Sequence, residues 1–210
     1  MKFSAALLIG LGACAAPAPP RPPEPTRDLR AEARKAVDGL EAAFYTHWGS
    51  IEKTPEFRKL GREHVPALRE EADANGPRAL GAYRVLRTLA PEERFSPDAR
   101  AILYTTALAR ESDFTRWGVV APTGFLPGVY GQEMLELGKG STPYLRPLLA
   151  DRRRAPVPGE PANRVQGDRV CDYAWIFLAT LFDRPLAYHS APDARDEQIR
   201  QMDLWLDRRR

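Results

Sequence analysis

The sequence predicts an all-helical protein, and three observations carry that expectation. From residue 27 onward, apolar side chains recur at steps of three and four. One segment after another starts with a serine, threonine or aspartate beside a proline, the chemistry of a helix N-terminus. No run alternates apolar and polar residues convincingly, as a half-buried strand would.

Taken in order, Leu29, Ala33, Val37, Leu40 and Phe44 mark one apolar face over about 27–47. Thr54-Pro55 then supplies a cap and a first-turn proline for a segment carrying Phe57, Leu60 and Leu68. Pro66 interrupts it, so it is either kinked or two short pieces. A further helix runs from Pro77 with Leu80, Tyr83, Leu86 and Leu89, and Ser96-Pro97-Asp98 opens one carrying Ile102, Leu103 and Ala107. Glycine and proline interleave with Trp117, Phe125 and Tyr130 over 112–131, a loop long enough to be functional or packed on itself. Helices resume at about 131–138, with Gly138 as C-terminal cap, and at 143–150. After a polar, proline-rich stretch at 151–167, Asp168 caps a strongly apolar helix with Val170, Tyr173, Phe177 and Leu181. Pro192-Asp193 starts the last helix, with Ile199, Met202, Trp205 and Leu206 on its apolar face.

The two halves echo each other. Leu60-Gly61-Arg62, followed by Pro66-Ala67-Leu68-Arg69, matches Leu137-Gly138-Lys139 followed by Pro143-Tyr144-Leu145-Arg146. Downstream, Ala82-Tyr83 with Leu86-Arg87-Thr88-Leu89 matches Ala174-Trp175 with Leu178-Ala179-Thr180-Leu181, and Pro97-Asp98-Ala99-Arg100 matches Pro192-Asp193-Ala194-Arg195. Two degenerate units, about 56–111 and 133–208, are therefore expected inside one helical domain spanning 26–210. Amphipathic units of this kind cannot bury their stripes alone and stack instead. The leucine–glycine openings and the Pro-Asp helix starts resemble HEAT-like repeats. The resemblance implies a short α-solenoid or an orthogonal helical bundle. It also implies that an Asp and an Arg on neighbouring helices, such as Asp172 and Arg195, bridge for fold support, with Asp196 capping or pairing alongside.

The N-terminus reads differently. Lys2 precedes an apolar stretch from Phe3 to Ala13, the order of a secretory signal, and the stretch is about 11 residues long. That is well short of the roughly 20 needed to span a bilayer. Leu11-Gly12-Ala13-Cys14 resembles the lipobox of bacterial lipoproteins. In that family the peptide before the cysteine is removed and the cysteine is acylated on its thiol and new amino terminus. The resemblance implies a signal peptide at 1–13 and a lipidated, palmitate-type membrane anchor on Cys14. It also implies a bacterial envelope location, and Ala15, standing where a retention Asp would be, points to the periplasmic face of the outer membrane. The proline-rich stretch at 14–25 suits a tether, since at about 3.1 Å per residue ten residues reach some 30 Å.

About 185 residues remain after the tether, enough for one domain with a proper core. The chain carries 31 Lys and Arg against 28 Asp and Glu, a formal net charge of +3. That near balance argues against a nucleic-acid partner, which needs a concentrated basic face. The runs Arg152-Arg153-Arg154 and Arg208-Arg209-Arg210 read as solvated faces, the alternative being contact with anionic lipid or acidic partners. Cys14 and Cys171 are the two cysteines, so a lipidated Cys14 leaves Cys171 without a disulfide partner.

No cofactor is implied by any motif. His47, His64 and His189 are scattered, and no metal site is expected. The chemistry weighed is that of an envelope hydrolase. Glu133 follows the aromatic loop and could serve in cell-wall glycan cleavage with a second acid such as Glu63, Glu136 or Asp172. Cys171, with His189 as base, is the thiol version. Against these stands a non-enzymatic binding or scaffolding module, attached to the membrane through Cys14 and engaging another envelope protein. Its candidate contact segment is 112–131 with Trp117, Phe125 and Tyr130 exposed or half exposed. The competing expectation is that these rings fold back over the ends of the helices.

Overall fold

A computed structural model describes residues 27–47, 51–111, 114–121, 124–153 and 168–209. The signal-like segment, Cys14 and the proline run lie outside the described residues, as does most of the 151–167 stretch. Among the described residues there are eight α-helices and one two-stranded hairpin. The helices are α1 (Leu29–His47), α2 (Val65–Asp73), α3 (Ala79–Leu89), α4 (Pro97–Arg110), α5 (Val129–Glu136), α6 (Thr142–Leu145), α7 (Val170–Leu181) and α8 (Pro192–Asp207).

Local chemistry accounts for most of the boundaries. The Ser96 hydroxyl accepts the Ala99 amide at 3.1 Å and Pro97 opens α4, while Pro192 opens α8 in the same way. Between 54 and 64 the chain makes 3₁₀ turns rather than an α-helix. Thr54 caps the Phe57 amide at 3.2 Å, and Pro66 stands in the first turn of α2, so the interrupted segment resolves into short pieces. A second proline effect splits the segment expected at 143–150. Pro147 has no amide to continue the ladder, and α6 gives way to a 3₁₀ stretch at Arg146–Ala150. Gly138, at φ +67°, takes the left-handed position after α5. Asp168 does not cap α7 as expected; the Asp172 carboxylate reaches back to the Arg169 amide at 2.9 Å.

The hairpin is the element that the periodicity missed. Strands β1 (Gly118–Ala121) and β2 (Gly124–Pro127) pair antiparallel with Val119 opposite Leu126 and Val120 opposite Phe125. Four-residue strands bounded by glycines show too few alternations to register as a pattern.

The core is one contiguous apolar cluster reaching from Ala33 on α1 to Leu206 on α8. Helices α1, α2 and α3 pack on one another. Helix α4 touches α3, α5 and α6, and α7 packs on α5, α6, α8 and the 146–150 stretch. The most buried helices are α3, sealed from Ala79 to Leu86, and α7, sealed from Val170 to Ala179. In both halves the order is a 3₁₀ turn, a proline-started short helix, a buried central helix and a proline-started outer helix.

Candidate functional site

The aromatic segment folds inward. Trp117 is wholly buried, and its indole Nε1 donates to Glu111 Oε2 at 3.2 Å. Its ring meets Tyr130, Phe177 and Tyr104 edge-on at centroid distances of 5.6, 6.0 and 6.4 Å. Tyr130 is buried as well, and Phe125 is half-buried with its ring edge-on to Phe177 at 5.4 Å. The expectation of exposed rings is therefore corrected for Trp117 and Tyr130: Trp117 packs on Phe177 of α7 and Tyr130 on Trp117, since a large ring gains more by burial than by facing water. Two glycines allow the close approach. A Cβ on Gly131 would sit 1.8 Å from the Trp117 carbonyl, and Gly118 holds φ +140°. The Tyr173 hydroxyl fastens the hairpin by donating to the Gly118 carbonyl at 2.7 Å. Among the described residues of the segment, the large exposed hydrophobics are the cross-strand pair Val119 and Leu126, 49% and 55% exposed.

Glu133 is buried on α5 and committed to three partners. Oε1 accepts from Arg87 at 2.7 Å, Oε2 accepts the Tyr104 hydroxyl at 2.5 Å, and the Arg84 Nε lies 3.4 Å from Oε2. Arg84 also stacks over Tyr130 at 4.9 Å. Burial, and then the Glu133 charge, push the Tyr104 phenol up, so it stays a donor. This arrangement ties α3, α4 and α5 together. A glycosidase acid must reach the leaving oxygen of a sugar from an open cleft. The Glu133 carboxylate is instead held by two arginines and a tyrosine.

A second ionic cluster stands at the start of α7. Asp172, fully buried, takes the Arg169 guanidinium at 2.9 and 3.1 Å, and Arg195 Nε, also fully buried, lies 3.2 Å away. Arg195 further donates to the His189 and Ser190 carbonyls, both at 3.0 Å. Asp196 accepts from Arg169 at 2.7 Å and from Arg152. The expected Asp172–Arg195 bridge is thus present and links α7 to α8, with Asp196 pairing beside it. Asp168 accepts the Tyr188 hydroxyl, and burial raises both the Asp168 carboxyl and the Tyr188 phenol above their usual values.

Cys171 lies inside this cluster, completely buried, with the Arg152 Nη1 3.5 Å from its sulfur. Burial, and next the Asp172 charge, push its thiol up, away from the reactive thiolate. His189 is exposed, and among the described residues it makes no hydrogen bond to Cys171. The thiol behaves as a small apolar core group.

His64 is fully buried, and its Nδ1 accepts the Gly61 amide at 3.0 Å, so Nε2 donates to Glu32 Oε2 at 3.0 Å. It caps a turn and holds α1. The side chain of His47 lies outside the described residues. Among the described residues no group of three His, Cys, Asp or Glu side chains converges as a metal site would require.

Sequence reasoning missed the Arg84–Glu133–Arg87–Tyr104 cluster, because its members come from three helices with no shared spacing. It also missed an open cavity of about 430 Å³ lined by Lys139, Thr142, Arg146, Phe182, Leu206 and Arg209, where the C-terminal arginines had read as a solvated run. No family model matches the chain, and no curated protein or solved structure is significantly similar to it.

Proposed function

We propose that this protein is a lipid-anchored helical module of the bacterial envelope that binds or scaffolds another envelope protein and performs no chemistry of its own. One observation carries the reading. Leu11-Gly12-Ala13-Cys14 closes a short apolar segment and leads directly into Ala16-Pro17-Ala18-Pro19-Pro20, so an acylation site, a tether and a folded body follow in the order that a lipoprotein requires. Two or more acyl chains, each methylene adding about 0.8 kcal/mol, hold a protein on a membrane permanently. Among the described residues no helix is long and apolar enough to cross a membrane. The periplasmic face of the outer membrane is the proposed location, from Ala15 after the cysteine.

Two observations support binding over catalysis. Glu133 and Cys171, the groups suited to hydrolysis, are buried and spent on structural contacts. The exposed Val119–Leu126 pair on a hairpin pinned at Gly118 presents a small apolar surface to a partner. We assign the body to HEAT-like stacking. In support stand the repeated order of turn, short helix, buried helix and outer helix, and the Asp172–Arg195 bridge between α7 and α8.

The test is metabolic labelling with an alkyne palmitate analogue in a bacterial host, followed by membrane fractionation with a high-salt wash. The wild-type chain is expected to take the label and stay with the membranes, and Cys14→Ala to lose both. A Cys14→Ala variant that still fractionates with washed membranes overturns the anchor, and release of cell-wall fragments by the purified protein overturns the non-enzymatic reading.

A further inference from the structure

We propose that the cavity between the start of α6, the C-terminal end of α7 and the last turn of α8 is a binding site for a small organic anion. The ligand would be a carboxylate, sulfonate or phosphate carried on a compact, flat apolar body. The cavity's volume of about 430 Å³ falls in the range of small-molecule sites, and it is open to solvent.

The lining pairs two opposite demands. Part of its lining is apolar: Phe182, the buried Leu206 and Pro143 offer surface to an apolar body. Its rim is cationic. The Lys139 ammonium stands 5.2 Å from the Phe182 centroid, and the Arg209 guanidinium stacks 4.2 Å over Trp205 while lying 6.0 Å from Phe182. A guanidinium stacked by its face keeps the N–H edge free to grip an anion. Among the described residues neither Lys139 nor Arg209 has an acidic partner within 4.0 Å. The third cation, Arg146, does not compete for the ligand. It is committed to Asp203 at 2.7 Å and Asp207 at 2.6 Å, which fixes one wall and takes those two carboxylates out of the anion's way. Thr142 donates its hydroxyl proton to the Lys139 carbonyl at 2.7 Å, steadying the turn that carries Lys139. Two cations without an acidic partner among the described residues, set beside an aromatic ring, repel cations and hold an anion by charge-assisted hydrogen bonds about twice as strong as those to a neutral acceptor. They reward negative charge and apolar surface together.

This site is independent of the lipid anchor, so failure of either reading leaves the other standing. The probe is 2-naphthoate, titrated calorimetrically into the full chain, with the neutral 2-naphthylmethanol as its uncharged counterpart. Saturable one-to-one binding of the naphthoate is expected, at least about tenfold tighter than the alcohol, since a charge-assisted pair is worth that much. The double variant Lys139→Gln/Arg209→Gln alters only exposed side chains and so keeps its helical circular dichroism; it is expected to lose about tenfold or more in naphthoate affinity. Absence of saturable binding, equal binding of the alcohol, or unchanged affinity in the double variant overturns the proposal.

Discussion

Among single residues, the difference between a buried and an exposed charge decides what matters. Asp172 faces Arg169 and Arg195, with no exposed side-chain surface on Asp172 or Arg195. Forming such a cluster is close to neutral, because desolvation offsets the attraction; breaking it is expensive, because a guanidinium is left in the core without its counter-charge. Asp172→Asn is therefore expected to lower stability by about 3–5 kcal/mol, read as a shift of the urea midpoint. Glu197, half-exposed against Arg200 on the same helix face, provides the contrast. Its replacement by Ala is expected to leave the urea midpoint nearly where it is, because solvent screens an exposed pair. Equal effects from the two substitutions would mean that the α7–α8 cluster is hydrated and is not the fastening it looks to be. Glu133 belongs with Asp172 in this respect, since two arginines and a tyrosine depend on it.

Among elements, the hairpin and α5 hold each other at backbone distance. The Trp117 carbonyl accepts the Gly128 amide at 3.0 Å and leaves no room for a side chain at Gly131, where a Cβ would approach to 1.8 Å. Neither partner can give way cheaply, because one is backbone and the other lies within a helix. Gly131→Ala gains helix propensity of under about 1 kcal/mol but is expected to lose about 1–3 kcal/mol or more by overpacking. The loss should appear as a lower thermal midpoint and as renewed solvent access at Trp117, seen as a red shift of its fluorescence. This contact also marks where the sequence stops being legible. The starts of α4 and α8 could be read from Ser96-Pro97 and Pro192, because capping is settled within four residues. The apolar faces of α1, α3 and α7 could be read from periodicity. The hairpin could not, since its strands are held by Tyr173 and by Phe125 against Phe177, contacts from some fifty residues away that leave no local mark. The ionic cluster at Glu133 is hidden for the same reason, whereas the Asp172–Arg195 bridge is what the resemblance to HEAT-like repeats implies. The inward turn of Trp117 and Tyr130 is one of two readings that their composition allows, and only the packing of Trp117 on Phe177 and of Tyr130 on Trp117 decides between them.

For the whole molecule, the question is whether the two halves are separate units or one. Stacked repeats can unfold piecewise when each buries most of its own core and meets its neighbour through a modest interface. Here the middle of the molecule argues otherwise. Helix α4 belongs to the first half by sequence, yet it packs on α5 and α6 as well as on α3. Its Tyr104 bonds to Glu133 and meets Trp117, while Arg84 and Arg87 from α3 reach the same carboxylate. The first half alone would leave Tyr104 without its acceptor and the buried Arg84 without its anion. The second half alone would leave a buried carboxylate without its cations. Each cost is comparable to a large share of the stability of a domain this size. A single cooperative unfolding transition is therefore expected. The check is urea unfolding of the full chain followed by two probes. Helical circular dichroism reports on both halves, whereas tryptophan emission is weighted to Trp117, Trp175 and Trp205, which lie beyond residue 111. Coincident midpoints and slopes would mean that the ionic crossing at Glu133 makes one unit of the two halves. A biphasic dichroism curve, with fluorescence following only one phase, would mean that they fold apart and that the contacts around Glu133 are too weak to couple them.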